Sequence, residues 1–557
     1  MSTVVAPAEA RSERPRPRSQ RWLAARWAAL DAGGMRTFWA VCTVVLLAQF
    51  VGLAIYSAYL YRRFDLTDDF ATYAQAWWAI GHGHLDPIDT IQTPTYPFWQ
   101  SHFELAMWPI ALVGRIWPHP VQLLWLQDAA LVATEWFAMA WVAAICATRA
   151  AGARTTVALC ALVFLVVNPW WYLAASFDVH FETIGLPFVV WSGYSLWRGR
   201  RRQAVLAAAI AVLFGDVVAL TAFCVGVAAT VSRRARRASG IKAPLAVALL
   251  AGGWVVLATV LGANRGSGIV TNYGYLVAAA PDASSGWVLV HLLLHPFHVL
   301  HTFFDRLGGI GRVVASAGLV GVATPWGFFV SLGILVPAAL NANKAFLSPT
   351  IAFQTLAVIP FVFVGSVILL LRLAGRTTAA SDTAPEDTPA TTPAGAPAAT
   401  PQHRAPRQGR RWRTGVALVA AIALVTLSLV QNVPLYGTIR ADWWRVDPHT
   451  AAALTQAVDR VPAGAEAVVS QGVIGRFGDR TEVYPLLAAP QRFPVHAKEF
   501  YFVIVPSEGI VSLPAAAAVS DEASLVTHDG AEVVLEADGV TVFRWRPPPG
   551  RSSIVLP

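Results

Sequence analysis

Charge is the scarcest commodity in this chain. Only 13% of its 557 residues are Asp, Glu, Lys or Arg while 55% are apolar, against a charged share of about a quarter in soluble domains. A soluble enzyme and a disordered polyelectrolyte are both excluded, leaving an integral membrane protein. Cysteine is nearly absent as well. Cys42, Cys146, Cys160 and Cys224 all lie in apolar runs, so they form no disulfide framework, lack metal-ligand spacing and read as small core residues. No Gly-rich phosphate loop, Ser-His-Asp signature or Cys/His zinc spacing occurs, and cytoplasmic nucleotide hydrolysis has no support. The net charge of +9 comes from arginines at Arg11 to Arg26, Arg198 to Arg202 and Arg233 to Arg237. Those clusters flank apolar spans, where basic residues mark cytoplasmic loops rather than a nucleic-acid surface.

What is present is a succession of apolar segments. A helix needs ~20 apolar residues to cross ~30 Å of hydrocarbon. By that ruler residues 1–35 form a cytoplasmic basic tail. Phe38 to Leu60 crosses outward as a retained helix, because it is too long for a signal-peptide core. Leu105 to Trp117, short and holding Pro109, is expected along the outer interface. Val121 to Ala147 returns, Thr156 to Ala175 goes out, and the turn SFDVHFE (Ser176 to Glu182) leads into a helix ending at Trp197. Gln203 to Ser232 lies between two basic clusters, so it must enter and leave on one side, as two short helices turning at Gly215-Asp216. Pro244 to Leu261 goes out, Ile310 to Leu340 reads as a hairpin broken at Pro325, and Ile351 to Leu373 comes back.

Residues 376–413 are a Pro/Ala/Thr-rich linker expected to be disordered and cytoplasmic. Residues 414–432 form a last helix. Residues 433–557 alternate strand-like runs (AEAVV, FYFVIV, AEVVL, VTVFRW) with a helical stretch at Thr450 to Val461, an extracytoplasmic α/β domain large enough for its own core. The transmembrane part is then 36–375, with about 11–12 helices in all by the same length rule and an external loop at 61–120.

That loop carries the chemistry. Between Phe64 and Glu104 lie six acids (Asp65, Asp68, Asp69, Asp86, Asp89, Glu104) and three histidines (His82, His84, His102). With the SFDVHFE turn it gathers Asp178, His180 and Glu182 on the same face. Asp68 and Asp69 also suit the first turn of a helix, where acids meet the positive end of the helix dipole. Caps do not explain the histidines. Acids and histidines gathered at one face of a membrane protein form a site, and this set fits general-base catalysis: a carboxylate takes a proton from a hydroxyl while another group handles the charge on a leaving phosphate. The cations Arg265, Arg306 and Lys344 fall outside, against the cytoplasmic bias, as phosphate ligands, salt-bridge partners or snorkelling anchors. Asp216 is the most intramembrane carboxylate by position. HLLLHPFHVLH puts His291, His295, His298 and His301 at helical spacing; a metal site is one reading, but an interfacial amphipathic helix is favoured because Pro296 disturbs ligand geometry.

DDFATYAQAWWAIGHGHLDP, SHFELAMWPIAL, LLWLQDAALV, FDVHFETIGLPF and LVPAALNANKAFLSP resemble, in that order, the blocks of a bacterial predicted-membrane-protein family of unknown function grouped with the GT-C glycosyltransferases. The resemblance covers about Phe64 to Leu373 and continues into VPAGAEAVVSQGVIGRFGDRTEVYP. It implies a GT-C-like fold, a polyprenyl-phosphate sugar as donor, a cell-envelope acceptor, and an acid after the first helix as base. The DF..Y.QAWW block places that role on Asp69, with Asp65 and Asp68 as rivals, and His102, His180 and Glu182 fall on further polar positions of the pattern. An acidic pair is expected in the short hairpin; this chain has Gly215-Asp216. A metal is left open, a divalent cation being the cofactor to consider. Two other functions remain: a transporter or flippase of lipid-linked saccharides, and a noncatalytic assembly partner.

Overall fold

A computed structural model describes residues 18–91, 95–147, 151–261, 268–280, 283–375, 423, 425–441, 446–507, 513–527 and 529–557. The expected linker at 376–413 lies outside them, as does Arg265. The protein is an α-helical polytopic membrane protein with a small C-terminal α/β domain.

Among the described residues, four stretches are long and apolar enough to cross a membrane: Gly34–Arg63, Val121–Cys146, Val157–Ala175 and Lys242–Leu261. The first belongs to α1 (Arg18–Arg63). The third is interrupted at Asn168, whose side chain caps the next turn at the Trp170 amide, with Pro169 at its first position; proline there loses no helical hydrogen bond. Two further pairs bend sharply, by 90° at Ser232 and by 87° at His295. The remaining apolar helices, Leu307–Ser316, Pro325–Leu340 and Val358–Arg372, are shorter. The membrane core is thus a mixture of full-length spans and short, broken helices, a pattern tolerated where neighbouring helices satisfy the freed backbone.

The helices that place the external residues are α2 (Asp68–Gly81), α3 (Met107–Gly114), α4 (Val121–Cys146), α5 (Phe181–Arg198), α6 (Arg201–Ala211) and α7 (Asp216–Val231). α6 and α7 form the expected hairpin, turning through Gly215 at φ +114°, a conformation that favours glycine. α3 buries Met107, Ala111 and Gly114 and exposes Leu112 and Val113, a one-sided apolar helix as expected of Leu105 to Trp117.

In the C-terminal domain, strands β1 (Glu466–Ser470), β2 (Val483–Leu486), β3 (Phe500–Ile504), β4 (Glu532–Ala537) and β5 (Val540–Trp545) form one sheet in the order β2-β1-β3-β5-β4. β2, β1 and β3 run parallel; β5 and β4 are antiparallel additions. Helices Pro448–Arg460 and Ala515–Thr527 accompany it. Every residue of β1, β2 and β3 is buried, as parallel strands covered on both faces require. This domain is bolted to α2. The Gln75 amide donates to Thr481 O (2.8 Å) and to Thr90 Oγ1 (2.7 Å), and the Thr90 hydroxyl donates to Val483 O (2.6 Å). Gly478 lies so close to Ala71 that an added Cβ would come within 2.9 Å of its carbonyl oxygen.

Candidate active site

α2 begins without a cap of its own: Thr67 makes no side-chain cap bond. Asp178, from the Ser176–His180 turn, takes over the task. Its carboxylate accepts from the Thr67 amide (3.0 Å), the Thr67 hydroxyl (2.5 Å) and the Phe70 amide (3.1 Å). Orphan amides at a helix start are thereby satisfied from a distant loop. Asp178 is buried. Burial and then the Asp69 charge push its carboxyl up to about 6, against the opposing pull of the Thr67 hydroxyl. It positions α2 and is not open to a substrate.

Asp69, one residue into the helix, keeps 41% of its side chain exposed and lies 3.4 Å from His180 Nε2. The other ring nitrogen, Nδ1, is 3.0 Å from the Asp178 carbonyl oxygen. Both nitrogens face acceptors, which only the doubly protonated ring can serve with two donors. Burial pulls His180 toward neutrality, yet the hydrogen bond and charge of Asp69, with Glu182 and Asp178, leave its pKa above the ordinary imidazole value. Phe353 stacks on the ring at 3.4 Å between centroids. Gln127 of α4 fixes the turn from behind, accepting from the His180 amide (2.7 Å) and donating to Asp178 O (3.2 Å).

Asp68 points instead toward the C-terminal domain, near Gln471. Burial and the Asp69 charge raise its carboxyl to about 7. Asp65 accepts from the Val446 amide (2.7 Å), tying the end of α1 to the entrance of the C-terminal domain. The three rivals for the base are therefore in different surroundings, and only Asp69 meets His180.

Glu104 is buried and accepts from the Tyr73 hydroxyl at 3.1 Å. Burial first, then the charge of Glu182, holds it well above the usual carboxylate range. Glu182 stands in the first turn of α5, with Oε2 buried and unbonded, beside a cavity of about 10 Å³ shared with Phe353, room for about one water. Asp216 lies near Glu104 at the tip of the short hairpin. The hairpin tip touches the external loop, where the Ala106 amide donates to Leu213 O at 2.8 Å, and the Asp216 charge acts on Glu104. It also acts on Tyr273, which bonds Asn341. Arg306 donates to Asn341 O and, at 3.1 Å, to the Tyr275 hydroxyl. Lys344 follows three residues later, at the start of a short 3-10 turn. A polar arc thus runs from Asp69 and His180 through Glu182, Glu104 and Asp216 to Arg306 and Lys344. His102 closes a short helix, Trp99–His102; its side chain lies outside the described residues.

The histidine tract does not form one face. Its helix breaks at His295 and resumes at Pro296, with the axis turned 87°. His291 stacks on Trp287 and His301 pairs with Asp305. Among the described residues no group of three or more His, Cys, Asp or Glu is arranged to hold a metal.

Tyr73, Gln127 and Phe353 escaped the reading of the sequence. Tyr73 and Gln127 stand within the blocks DDFATYAQAWW and LLWLQDAALV, and a polar residue inside an otherwise apolar block was the available signal. Phe353 carried none.

No curated protein matches the chain. Solved structures similar to it include ArnT from Cupriavidus metallidurans bound to undecaprenyl phosphate and ArnT from the same organism in the apo state. Each is 13% identical, with 89% of this chain and 97% of that chain covered and a TM-score of 0.43. The family described as "Predicted membrane protein (DUF2079)" matches residues 60–486, a stretch that holds every residue of the polar arc, and this chain belongs to that family.

Proposed function

We propose that this protein is a membrane glycosyltransferase that moves a sugar from a polyprenyl-phosphate donor to a cell-envelope acceptor at the external face. One observation carries the reading: Asp69, water-accessible at the start of a helix capped by Asp178, lies 3.4 Å from His180 Nε2. Asp69 takes the proton of an acceptor hydroxyl as its oxygen attacks the anomeric carbon. The bond from that carbon to the phosphate oxygen breaks, and the leaving lipid phosphate keeps the electron pair. Arg306 and Lys344, at the other end of the arc, suit the phosphate. Glu182 lies within electrostatic range of His180 and Glu104. A developing charge met by fixed groups in a dry site is the usual source of rate. The residues 433–557 are placed outside and the N-terminus in the cytoplasm; thiol labelling of cysteines introduced in 376–413 in intact cells would overturn that arrangement.

The test is sugar incorporation into the envelope by Asp69→Asn and Glu182→Gln variants. Loss of incorporation with normal abundance and melting supports the reading, and unchanged incorporation ends it. A second reading, transport of a lipid-linked saccharide, draws on Asp128 and Glu135, two fully buried acids on the spanning helix α4, since intramembrane acids mark proton and substrate pathways. It predicts that the lipid-linked substrate accumulates on the cytoplasmic leaflet when the protein is lost.

A further inference from the structure

A second concavity lies at the far end of α2 from Asp69. It has a volume of about 530 Å³ and is walled by Trp77, Trp78, His82, Gly114, Arg115 and Asp479. Small-molecule sites span ~300–1,000 Å³ and combine apolar walls with a few polar groups. Nine to thirteen helical residues separate Asp69 from Trp78 and His82, about 14–20 Å at the rise of an α-helix. This is a separate site from the polar arc.

Its walls are built. The Trp77 indole is 4% exposed and lies against Gly114, where an added Cβ would come within 2.3 Å of Nε1. Glycine is therefore required for the indole to close that wall. Trp78 and His82 pack ring against ring, 4.4 Å apart, and His82 Nδ1 lies 2.8 Å from the Trp78 carbonyl oxygen. That bond turns the free Nε2 away from the backbone. The Arg115 side chain is exposed and makes no hydrogen bond or ion pair among the described residues. Asp479 is 48% exposed and lies 3.9 Å from Arg480.

The lining selects a chemistry. An anion at Arg115 would also meet Asp479, and a cation at Asp479 would meet Arg115, so a net charge of either sign is opposed. A neutral polyol suffers neither penalty. Its hydroxyls donate to the carboxylate and accept from the guanidinium, and the C–H face of a sugar ring lies well on the apolar body of an indole. We propose that this cavity binds a neutral saccharide unit of one or two rings. The proposal stands whether or not Asp69 is a base.

The full chain is reconstituted in lipid nanodiscs free of maltoside detergent, whose headgroup would compete. Saturation-transfer NMR is recorded with maltose, cellobiose and mannobiose as probes. At least one is expected to bind, with Arg115→Ala and Asp479→Asn each weakening it by about 10-fold or more, a factor worth 1.4 kcal/mol, and Trp78→Leu at least as much. Arg115 and Asp479 are solvent-exposed, so their variants report on the site even where Trp78→Leu fails to fold. Asp69→Asn is expected to keep binding. No transfer from any of the three, equal transfer in both exposed variants, displacement by inorganic phosphate, or loss of binding in Asp69→Asn would each overturn the proposal, the last by moving the sugar into the polar arc.

Discussion

Two sets of acids occupy this protein, and they differ in their partners and exposure. Within the membrane, α4 carries Asp128 and Glu135 seven residues apart, two turns on one face. Asp128 accepts from the Ser57 hydroxyl at 2.8 Å and Glu135 from the Gln49 amide at 3.2 Å, both on α1. Their second oxygens are buried without a partner, and each is wholly shielded from solvent. At the start of α2, Asp69 has an exposed face, a histidine 3.4 Å away and a helix start capped by Asp178. The first pair clamps two helices through a neutral hydroxyl and an amide, whereas Asp69 keeps an exposed face beside a histidine.

The largest effect that tests this contrast is on transfer. Asp69→Asn is expected to reduce it by about 100-fold or more, the usual weight of a general base, with melting unchanged. Asp128→Asn, isosteric and distant, is expected to leave transfer near wild type; an equal loss in both, in assays of membranes with matched protein levels, would erase the distinction. Next comes Asp178→Ala, which strands the amides of Thr67 and Phe70. It should cost ~1–3 kcal/mol of stability, visible as a lowered melting temperature in nanodiscs.

A pH profile sharpens the external half. Asp68 has its carboxyl raised to about 7, so between the ordinary carboxylate value and pH 7 the folded protein holds a proton the unfolded chain has released. Stability therefore falls as pH rises through that window. His180, also raised, adds stability that is full below the ordinary imidazole value and is lost as pH climbs through its folded one. Melting temperature should decline from about pH 4 to above 7, and Asp68→Asn should flatten the lower part of that slope. On the membrane side, a double-mutant cycle on Ser57→Ala and Asp128→Asn is expected to give a coupling of only about 0.6 kcal/mol, the average for such bonds between spanning helices. Arg546→Ala, which breaks an exposed pair with Glu499 in the C-terminal domain, should leave melting unchanged.

How far the sequence foretold this arrangement depends on the range of the interaction. Apolar length located the spans, and two basic clusters flanking a 30-residue segment required a turn at Gly215-Asp216, which is where α6 and α7 meet. The gathering of Asp69, His180 and Glu182 followed from placing two loops on one side. Distances across the chain were illegible. Nothing in the sequence foretold that Val446, 381 residues away, donates to the carboxylate of Asp65. Position along an apolar run could not show that the tip of the hairpin at Asp216 reaches the Glu104 loop. The break at Pro296 was foreseen as a disturbance, but not as an 87° change of direction. Strand β2, four residues with a proline inside, offered too brief a pattern to find.

The attachment of α2 to the sheet has a consequence in time. The helix bearing Asp69 rests on Thr481 and Val483, residues that leave the ribosome about 400 positions after it. During synthesis and membrane insertion, this helix therefore waits, unseated, until the last domain has been delivered and folded. A chain truncated before the sheet would lack the docking face, so the seat of Asp69 is complete only when the sheet is.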